Sequence, residues 1–419
     1  MRDTKILFLY YFLIGLFTIF FACSGKELGS IGRVIYCSAI ILPSIANIKL
    51  LSGALVCFWG ISMCIFTPLF PSTTSIILLE IIVAIVISPR HLDLRVHKFF
   101  FIICVSYFCL NDVLHASLNY VYNLELGIFV AILLSFCISK RKDVEMLALG
   151  FCFMSIFISV IFLLTYKQFL HEYALNGIER SSWINPNYLG GHLSLGIVSG
   201  LWLMFYGYSL VRKKIYRLII ILGLLICIVA LGMNASRGSI LACSLPFLWF
   251  LWTSRIQKKT KIGVILLNIC FIIFLLSSNY IELLIYRFGS DDATTGNGRT
   301  IIWVSKINEF LSSDNLMNLL FGIGQDACRE IAVNIATHND FVTSFIAYGF
   351  IGIVLFILFI ALPIIISNKQ NRKQIIGLSL FLCIECFVLE PIYRGYYVFI
   401  IYYLFIYKLS QIDKYSNSY

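Results

Sequence analysis

Residues Ile6 to Ala22 read ILFLYYFLIGLFTIFFA, seventeen positions without a charge. A stretch of that length and character crosses the apolar core of a bilayer as a helix. Once water is gone, each backbone N–H and C=O must find its partner inside the segment, and only a helix provides that within one segment. Segments of the same kind recur along the chain, down to the run that begins at Phe341. The 419 residues are 60% hydrophobic and 13% charged, a balance that excludes the soluble globular class. The short alternating segments of a membrane barrel are absent. The fold class read here is all-α: a polytopic integral membrane protein of about 12 to 14 transmembrane helices. Ile6–Ala22 follows Met-Arg-Asp-Thr-Lys, as a signal peptide would, but no small-x-small cleavage site is convincing and many spans follow. An uncleaved first helix is expected.

The formal charge of +11 would suit a nucleic-acid binder by sum alone. Its placement points elsewhere. The basic residues form clusters between spans: Arg90/Arg95/Lys98, Lys140/Arg141/Lys142, Arg212/Lys213/Lys214/Arg217, Arg255/Lys258/Lys259/Lys261 and Lys369/Arg372/Lys373. Two spans fit between consecutive clusters, so all five lie on the cytoplasmic side by the positive-inside rule. The membrane, not nucleic acid, is the implied partner. The two most polar outward loops are then 167–185 and 280–340, both periplasmic. The second is a large loop containing short helices. It is too long for a turn and too polar for lipid, and chemistry on membrane proteins concentrates in such loops.

Most of the 14 cysteines lie inside apolar segments, where thiols pack as small hydrophobes. Cys328 has no second cysteine in its loop, so no intraloop disulfide is available. Cys383 and Cys386 read as core thiols on one helix. No metal-ligand spacing appears, and no cofactor is expected.

The polar motifs fall in three places. The first outer loop ends Glu179-Arg180-Ser-Ser-Trp-Ile-Asn185-Pro186-Asn187-Tyr-Leu-Gly190-Gly191-His192. Asn185 suits a helix cap and Pro186 a first turn. Gly190-Gly191 permits close approach of another backbone. Besides a simple capped start, Arg180 and the helix N-terminus fit an anionic group. Next, Asn234-Ala-Ser236-Arg237-Gly238-Ser239 sits between two spans. Arg237 there either anchors to head groups or clamps a phosphate.

The large loop holds Arg287-Phe-Gly-Ser-Asp-Asp-Ala-Thr-Thr-Gly-Asn-Gly298-Arg299, then Thr300–Leu311, whose Ile301, Ile302, Val304, Ile307, Phe310 and Leu311 predict an amphipathic helix along the membrane surface. After Phe321-Gly-Ile-Gly324 a second helix is expected over about 325–336. Thr337-His338-Asn339-Asp340 follows, with Asn339 or Asp340 capping the next span. That fixes His338 at the water–lipid boundary.

In this order the motifs resemble the O-antigen polymerase and O-antigen ligase superfamily, the Wzy/WaaL-type enzymes. The resemblance runs from about Arg180 to Leu355: Asn-Pro-Asn-x-Leu-Gly, Ser-Arg-Gly, Gly-Arg-Thr-x-x-Trp, Gly-x-Gly, His338-Asn339, and Tyr348-Gly-Phe-Ile-Gly352. Arg180 with Gly191 and Arg287 with Gly298 repeat an Arg-x10-Gly spacing that polymerases of the group share. The resemblance divides the chain into N-terminal transmembrane helices at 1–165 and a polymerase/ligase-like region at 166–419. It implies a multi-pass protein of the bacterial inner membrane that joins undecaprenyl-diphosphate-linked repeat units by inverting glycosyl transfer on its periplasmic face. A ligase would instead transfer the glycan to lipid A-core. His338 and Arg287 are the implied catalytic residues. Arg180, Asn187, Arg237, Arg299 and Asn339 are the implied contacts to diphosphate and sugar. A chain-length regulator and a flippase are the implied pathway partners. His338 suits a general base by its ordinary pKa, and Glu179 and Asp340 are the alternative carboxylates. A transporter of lipid-linked sugars is the competing class, with Glu80, Asp112 and Glu385 as its few intramembrane charges.

Overall fold

The computed structural model describes residues 2–24, 106–115, 140–172, 179–181, 185–207, 214–254, 298–393 and 397–412, with isolated positions at 53, 57, 131, 134, 135, 138 and 262. Apart from one two-stranded hairpin, its regular elements are helices. Among the described residues, four helices are long and apolar enough to cross a membrane: Arg141–Gln168, Pro186–Tyr206, Lys214–Asn234 and Asp340–Ile366. The expected tally of about 12 to 14 spans extends over segments outside the described residues, as do Glu80 and Arg287. The chain forms two compact units.

Unit 1 contains α1 (Arg2–Ser24), α2 (Arg141–Thr165), a hairpin of β1 (Leu170–Glu172) and β2 (Glu179–Ser181), α3 (Pro186–Tyr206), α4 (Lys214–Asn234) and α5 (Arg237–Thr253). α2 is its centre and is buried along most of its length. Apolar attraction between helices is weak in lipid, so close backbone approach and hydrogen bonds do the packing. Accordingly Ser155 on α2 lies against Gly196 of α3, where a β-carbon would meet its hydroxyl. The same hydroxyl donates to the carbonyl of His192 at 2.6 Å. At the other end Arg141 donates to the carbonyl of Tyr206 at 3.0 Å. That bond closes the C-terminus of α3, where carbonyls lack helical partners. Glu145 stands 3.8 Å from the same guanidinium. The strand pair sets His171 opposite Arg180 in the first outer loop.

Unit 2 contains the helical segment 106–114, α6 (Arg299–Leu311), α7 (Leu316–Phe321), α8 (Gln325–Glu330), α9 (Asp340–Ile366), α10 (Lys369–Val388) and α11 (Tyr397–Gln411). The 27 residues of α9 span about 40 Å. The helix breaks at Gly349, which takes φ 70°. A break inside a span leaves backbone carbonyls that lipid cannot satisfy. Three donors from elsewhere in the unit take them. The carbonyl of Ile346 accepts from the N–H of Ile323 at 3.2 Å, and that of Ala347 from Gly324 at 2.9 Å. The carbonyl of Tyr348 accepts from the hydroxyl of Tyr107 at 2.8 Å. The Gly322-Ile323-Gly324 turn thus pairs with the Tyr348-Gly-Phe-Ile-Gly352 motif. Contact is so close that a β-carbon at Gly322 would lie 2.1 Å from the Ala347 carbonyl. Gly322 also has φ 85°, a left-handed value that glycine adopts without a side-chain penalty.

One expectation about the large loop changes here, and one contact is new: its α7–α8 hairpin is wedged beside α9. The contact lies at Ala347, seven residues into that helix and about 10 Å from its start. The second loop helix, expected over 325–336, ends at Glu330. Lys306 is the reason: its ammonium donates to the carbonyls of Cys328, Arg329 and Ile331, each at 2.8 Å. The chain beyond is irregular, with Ala332 at φ 61°, and Val333 and Ile335 exposed.

α6 forms where expected, starting at Arg299 behind a left-handed Gly298. Its two faces are more specialised than its apolar pattern indicates. Ile301, Val304 and Leu311 are exposed, whereas Phe310 is buried edge-on against Phe345. Arg299, Trp303, Lys306 and Phe310 recur at helical spacing on one stripe. Each is tied to the rest of unit 2: Arg299 to Val388, Trp303 to Thr337, Lys306 to the end of α8 and Phe310 to α9.

Candidate functional site

In unit 2, two chain corners face each other. One is Thr337–Asp340, where the loop enters α9. The other is Leu389–Tyr393, just beyond α10. Asn339 caps α9, its amide oxygen accepting from Phe341 N at 2.9 Å and Val342 N at 3.2 Å. An unpaired first turn requires such an acceptor. The sequence offered Asn339 or Asp340 for this; the cap is Asn339. Its oxygen is committed to the helix, which bears on its implied contact to sugar.

The two corners exchange carboxylates. Asp340 is fully buried and accepts from the backbone N–H groups of Ile392 at 3.1 Å and Tyr393 at 3.2 Å. In return, Glu390 accepts from the N–H of His338 at 3.2 Å and from the hydroxyl of Thr337 at 2.8 Å. The Thr343 hydroxyl donates to the same oxygen of Glu390 as Thr337 does. Donors from the facing corner thus satisfy both buried acids. Asp340 is therefore a brace in this structure, with both oxygens occupied.

His338 has φ 53° and Glu390 φ 62°. Both are left-handed without being glycine, which costs about 1–2 kcal/mol each. Such strain persists where surrounding bonds over-determine it, and it gathers at functional sites. Here the mutual bond between the two residues is part of what holds them. His338 is half-buried at the start of α9.

α6 closes the same region from the side. Arg299 donates to the carbonyl of Val388 at the end of α10. The indole N–H of Trp303 donates to the carbonyl of Thr337 at 2.6 Å, and its ring meets Phe387 edge-on at 5.2 Å. Lys306 lies a further turn along, buried among carbonyls that match the three donors of an ammonium. Burial lowers its pKa, opposed by Cys328, Glu390 and Glu309. Burial also pushes the Cys328 thiol up to about 12, with Glu390 adding to the rise.

Unit 1 carries the other described candidates. Asn185 caps α3 as the sequence indicated, accepting from the N–H of Asn187 at 3.0 Å, and Pro186 opens the helix. α5 starts beside it. The Asn234 amide donates to the carbonyl of Pro186 at 2.7 Å, and Ala235 makes the corner with φ 52°. Ser236 and Ser239 press on Gly190, where a β-carbon would lie 2.6 Å from Ser236. The sequence pointed to a close approach at Gly190-Gly191 by another backbone; at Gly190 it is the Ser236 and Ser239 side chains that come close. The first turns of α3, with Asn187, and α5, with Arg237, are therefore neighbours. Both present helix N-termini, which favour negative charge.

The structure thus brings Arg299, His338 and Asn339 into unit 2, and Asn187 and Arg237 into unit 1. Arg180 lies in β2, opposite His171 by backbone pairing. Arg287 lies outside the described residues. Sequence reasoning missed Glu390. Its signal was a carboxylate followed by proline at the end of a span, Leu389-Glu390-Pro391.

Residues 222–357 match the sequence model of the Wzy_C family, described as O-antigen ligase. That stretch, from within α4 to within α9, is similar to the Wzy_C domain, a type shared by Wzy polymerases and WaaL ligases. No curated protein matches the chain.

Proposed function

We propose that this multi-pass membrane protein with a Wzy_C domain is an O-antigen polymerase, using His338 as general base toward the acceptor sugar. In the step proposed, an acceptor hydroxyl attacks the anomeric carbon of a glycan on undecaprenyl diphosphate. The new glycosidic C–O bond forms on the face opposite the leaving group. The bond to the diphosphate breaks, and the lipid diphosphate departs with the electron pair. The hydroxyl proton passes to the His338 imidazole, whose ordinary pKa near 6.5 suits that task.

The observation that carries the reading is the strained placement of His338. It stands left-handed at the mouth of a span, tethered to Glu390 and followed by the Asn339 cap. A histidine with only a surface role has no need of that strain. Arg180, Arg237, Arg287 and Arg299 are the proposed cations for the diphosphate, since bidentate guanidinium contacts suit phosphate oxygens. Asn187 and Asn339 are proposed sugar or diphosphate contacts, and the periplasm the proposed side.

The test is the lipopolysaccharide of a deletion strain complemented with His338→Ala. A polymerase defect leaves core bearing a single repeat and removes the ladder. Wild-type ladders from His338→Ala at normal expression would overturn the site. The second reading is a ligase, favoured by the family description of residues 222–357. It predicts core without any O-antigen in the same strain.

A further inference from the structure

The helical segment 106–114 lies outside residues 222–357, yet it carries four side chains into the heart of unit 2. The hydroxyl of Tyr107 caps the carbonyl of Tyr348 at the break of α9. Phe108 packs edge-on against Tyr348 and Tyr393, at 4.8 and 6.0 Å. The Asn111 amide donates to the carbonyl of Phe321 at 2.5 Å, closing α7. Asp112 is fully buried. It accepts from the hydroxyl of Tyr348 at 2.9 Å and from the amide of Gln325 at 3.3 Å. Gln325 also donates to the Tyr348 hydroxyl at 2.5 Å.

A fully buried carboxylate is costly unless it is hydrogen-bonded, so its partners indicate what it is there for. The transporter reading would make Asp112 part of a path. Its partners indicate a different task. Gln325 is the first residue of α8, so Asp112 holds the hairpin that is wedged beside α9. Tyr348 stacks on Tyr393 at 5.2 Å. Tyr393 in turn is bound through its N–H to Asp340, and its hydroxyl donates to Ser344 at 3.1 Å. Glu390, the tether of His338, is three residues before Tyr393. One carboxylate thus braces the α7–α8 hairpin and the Leu389–Tyr393 corner that holds His338.

We infer that Asp112 is a positioning residue for glycan transfer: through Gln325 it locks the α7–α8 hairpin into the break of α9, and through Tyr348 and Tyr393 it fixes the corner that holds His338. The inference rests on the proposed role of His338. Asp112 acts through other residues and does not touch the reacting atoms.

The test uses the full chain in nanodiscs, with lipid-linked oligosaccharide extracted from a strain lacking the protein as substrate. Asp112→Ala and Tyr348→Phe are each expected to lower kcat by on the order of 100-fold, as small misplacements do. KM should stay within about threefold, because the donor's own contacts are intact. The amides of Ile323 and Gly324 should exchange hydrogen faster in Asp112→Ala. The double variant should be no worse than the poorer single one, since both remove one connection. Tyr348→Phe removes a single oxygen, so it carries the test by itself if Asp112→Ala does not insert. Wild-type kcat in the variants, losses that multiply in the double variant, or a kcat loss with unchanged exchange at Ile323 and Gly324 would each overturn the inference. His338→Ala in the same assay separates the two claims. If it turns over normally, the site reading fails; if it is inactive while Asp112→Ala and Tyr348→Phe are normal, only the positioning role fails.

Discussion

Glu390 offers the sharpest test of the unit 2 site, because its connections allow a magnitude to be worked out. Three donors converge on its side chain: the hydroxyls of Thr337 and Thr343 on one oxygen and the N–H of His338 on the other. Hydrogen bonds to an ionised group contribute about 1.5–3 kcal/mol each. The threonine hydroxyls are 2.5 Å apart and can turn toward each other, so their loss is partly recovered. Taking this acceptor away from the His338 N–H costs about 1–3 kcal/mol. The left-handed backbone of His338 then loses a tether comparable to its own strain of about 1–2 kcal/mol.

In Glu390→Ala the competent conformer therefore drops roughly tenfold or more in population, and kcat falls by that fraction. Glu390→Gln keeps the shape and one oxygen. With that oxygen toward His338, the threonines can rotate to accept from the new amide. Its kcat should fall between wild type and Glu390→Ala. The assay is turnover of extracted lipid-linked oligosaccharide at saturating donor, read as product length on a gel, with expression and thermal stability measured in parallel. Wild-type turnover in Glu390→Ala, at wild-type expression, would refute the claim that this carboxylate holds His338 in place.

Other outcomes follow from the same geometry. His338→Gly and His338→Ala should both lose product, but the glycine variant should be the more stable by about 1 kcal/mol, since φ 53° penalises alanine; calorimetry in detergent reversing that order would remove the strain argument. Lys306→Met strands the carbonyls of Cys328, Arg329 and Ile331 and should destabilise the loop by about 3 kcal/mol. The raised, buried Cys328 thiol should resist maleimide in the wild type and react once Lys306 is removed; equal labelling in both proteins would show that Lys306 is no clamp. Gly322→Ala places a β-carbon 2.1 Å from the Ala347 carbonyl at a left-handed position. Folded protein on fluorescence-detected chromatography should nearly vanish, and wild-type yield would contradict the docking of the hairpin beside α9. Arg237→Lys should fail in complementation if the guanidinium binds phosphate through two bonds, whereas full activity would argue for charge alone.

Much of this protein is written locally and could be read from the sequence. Apolar runs require helices because lipid cannot satisfy a backbone. The caps at Asn185 and Asn339 act on residues two or three positions away. The start of α6 behind Gly298 depends on one backbone angle. The motif order likewise pointed to the family that residues 222–357 match. What the tertiary structure decided are contacts between distant positions. The apolar pattern of α6 gave no sign that Arg299, Trp303 and Lys306 turn inward, because their acceptors are backbone carbonyls, and every residue carries one. The sequence offered Asp340 as an alternative base; only the fold sets the N–H groups of Ile392 and Tyr393, more than fifty residues on, against its carboxylate. Glu390 and Asp112 gained meaning only when folding set them against His338 and Tyr348. Hydropathy reports how far each segment is from water. It carries no information about which buried acid meets which donor, and that pairing is what gives the corner at His338 its shape.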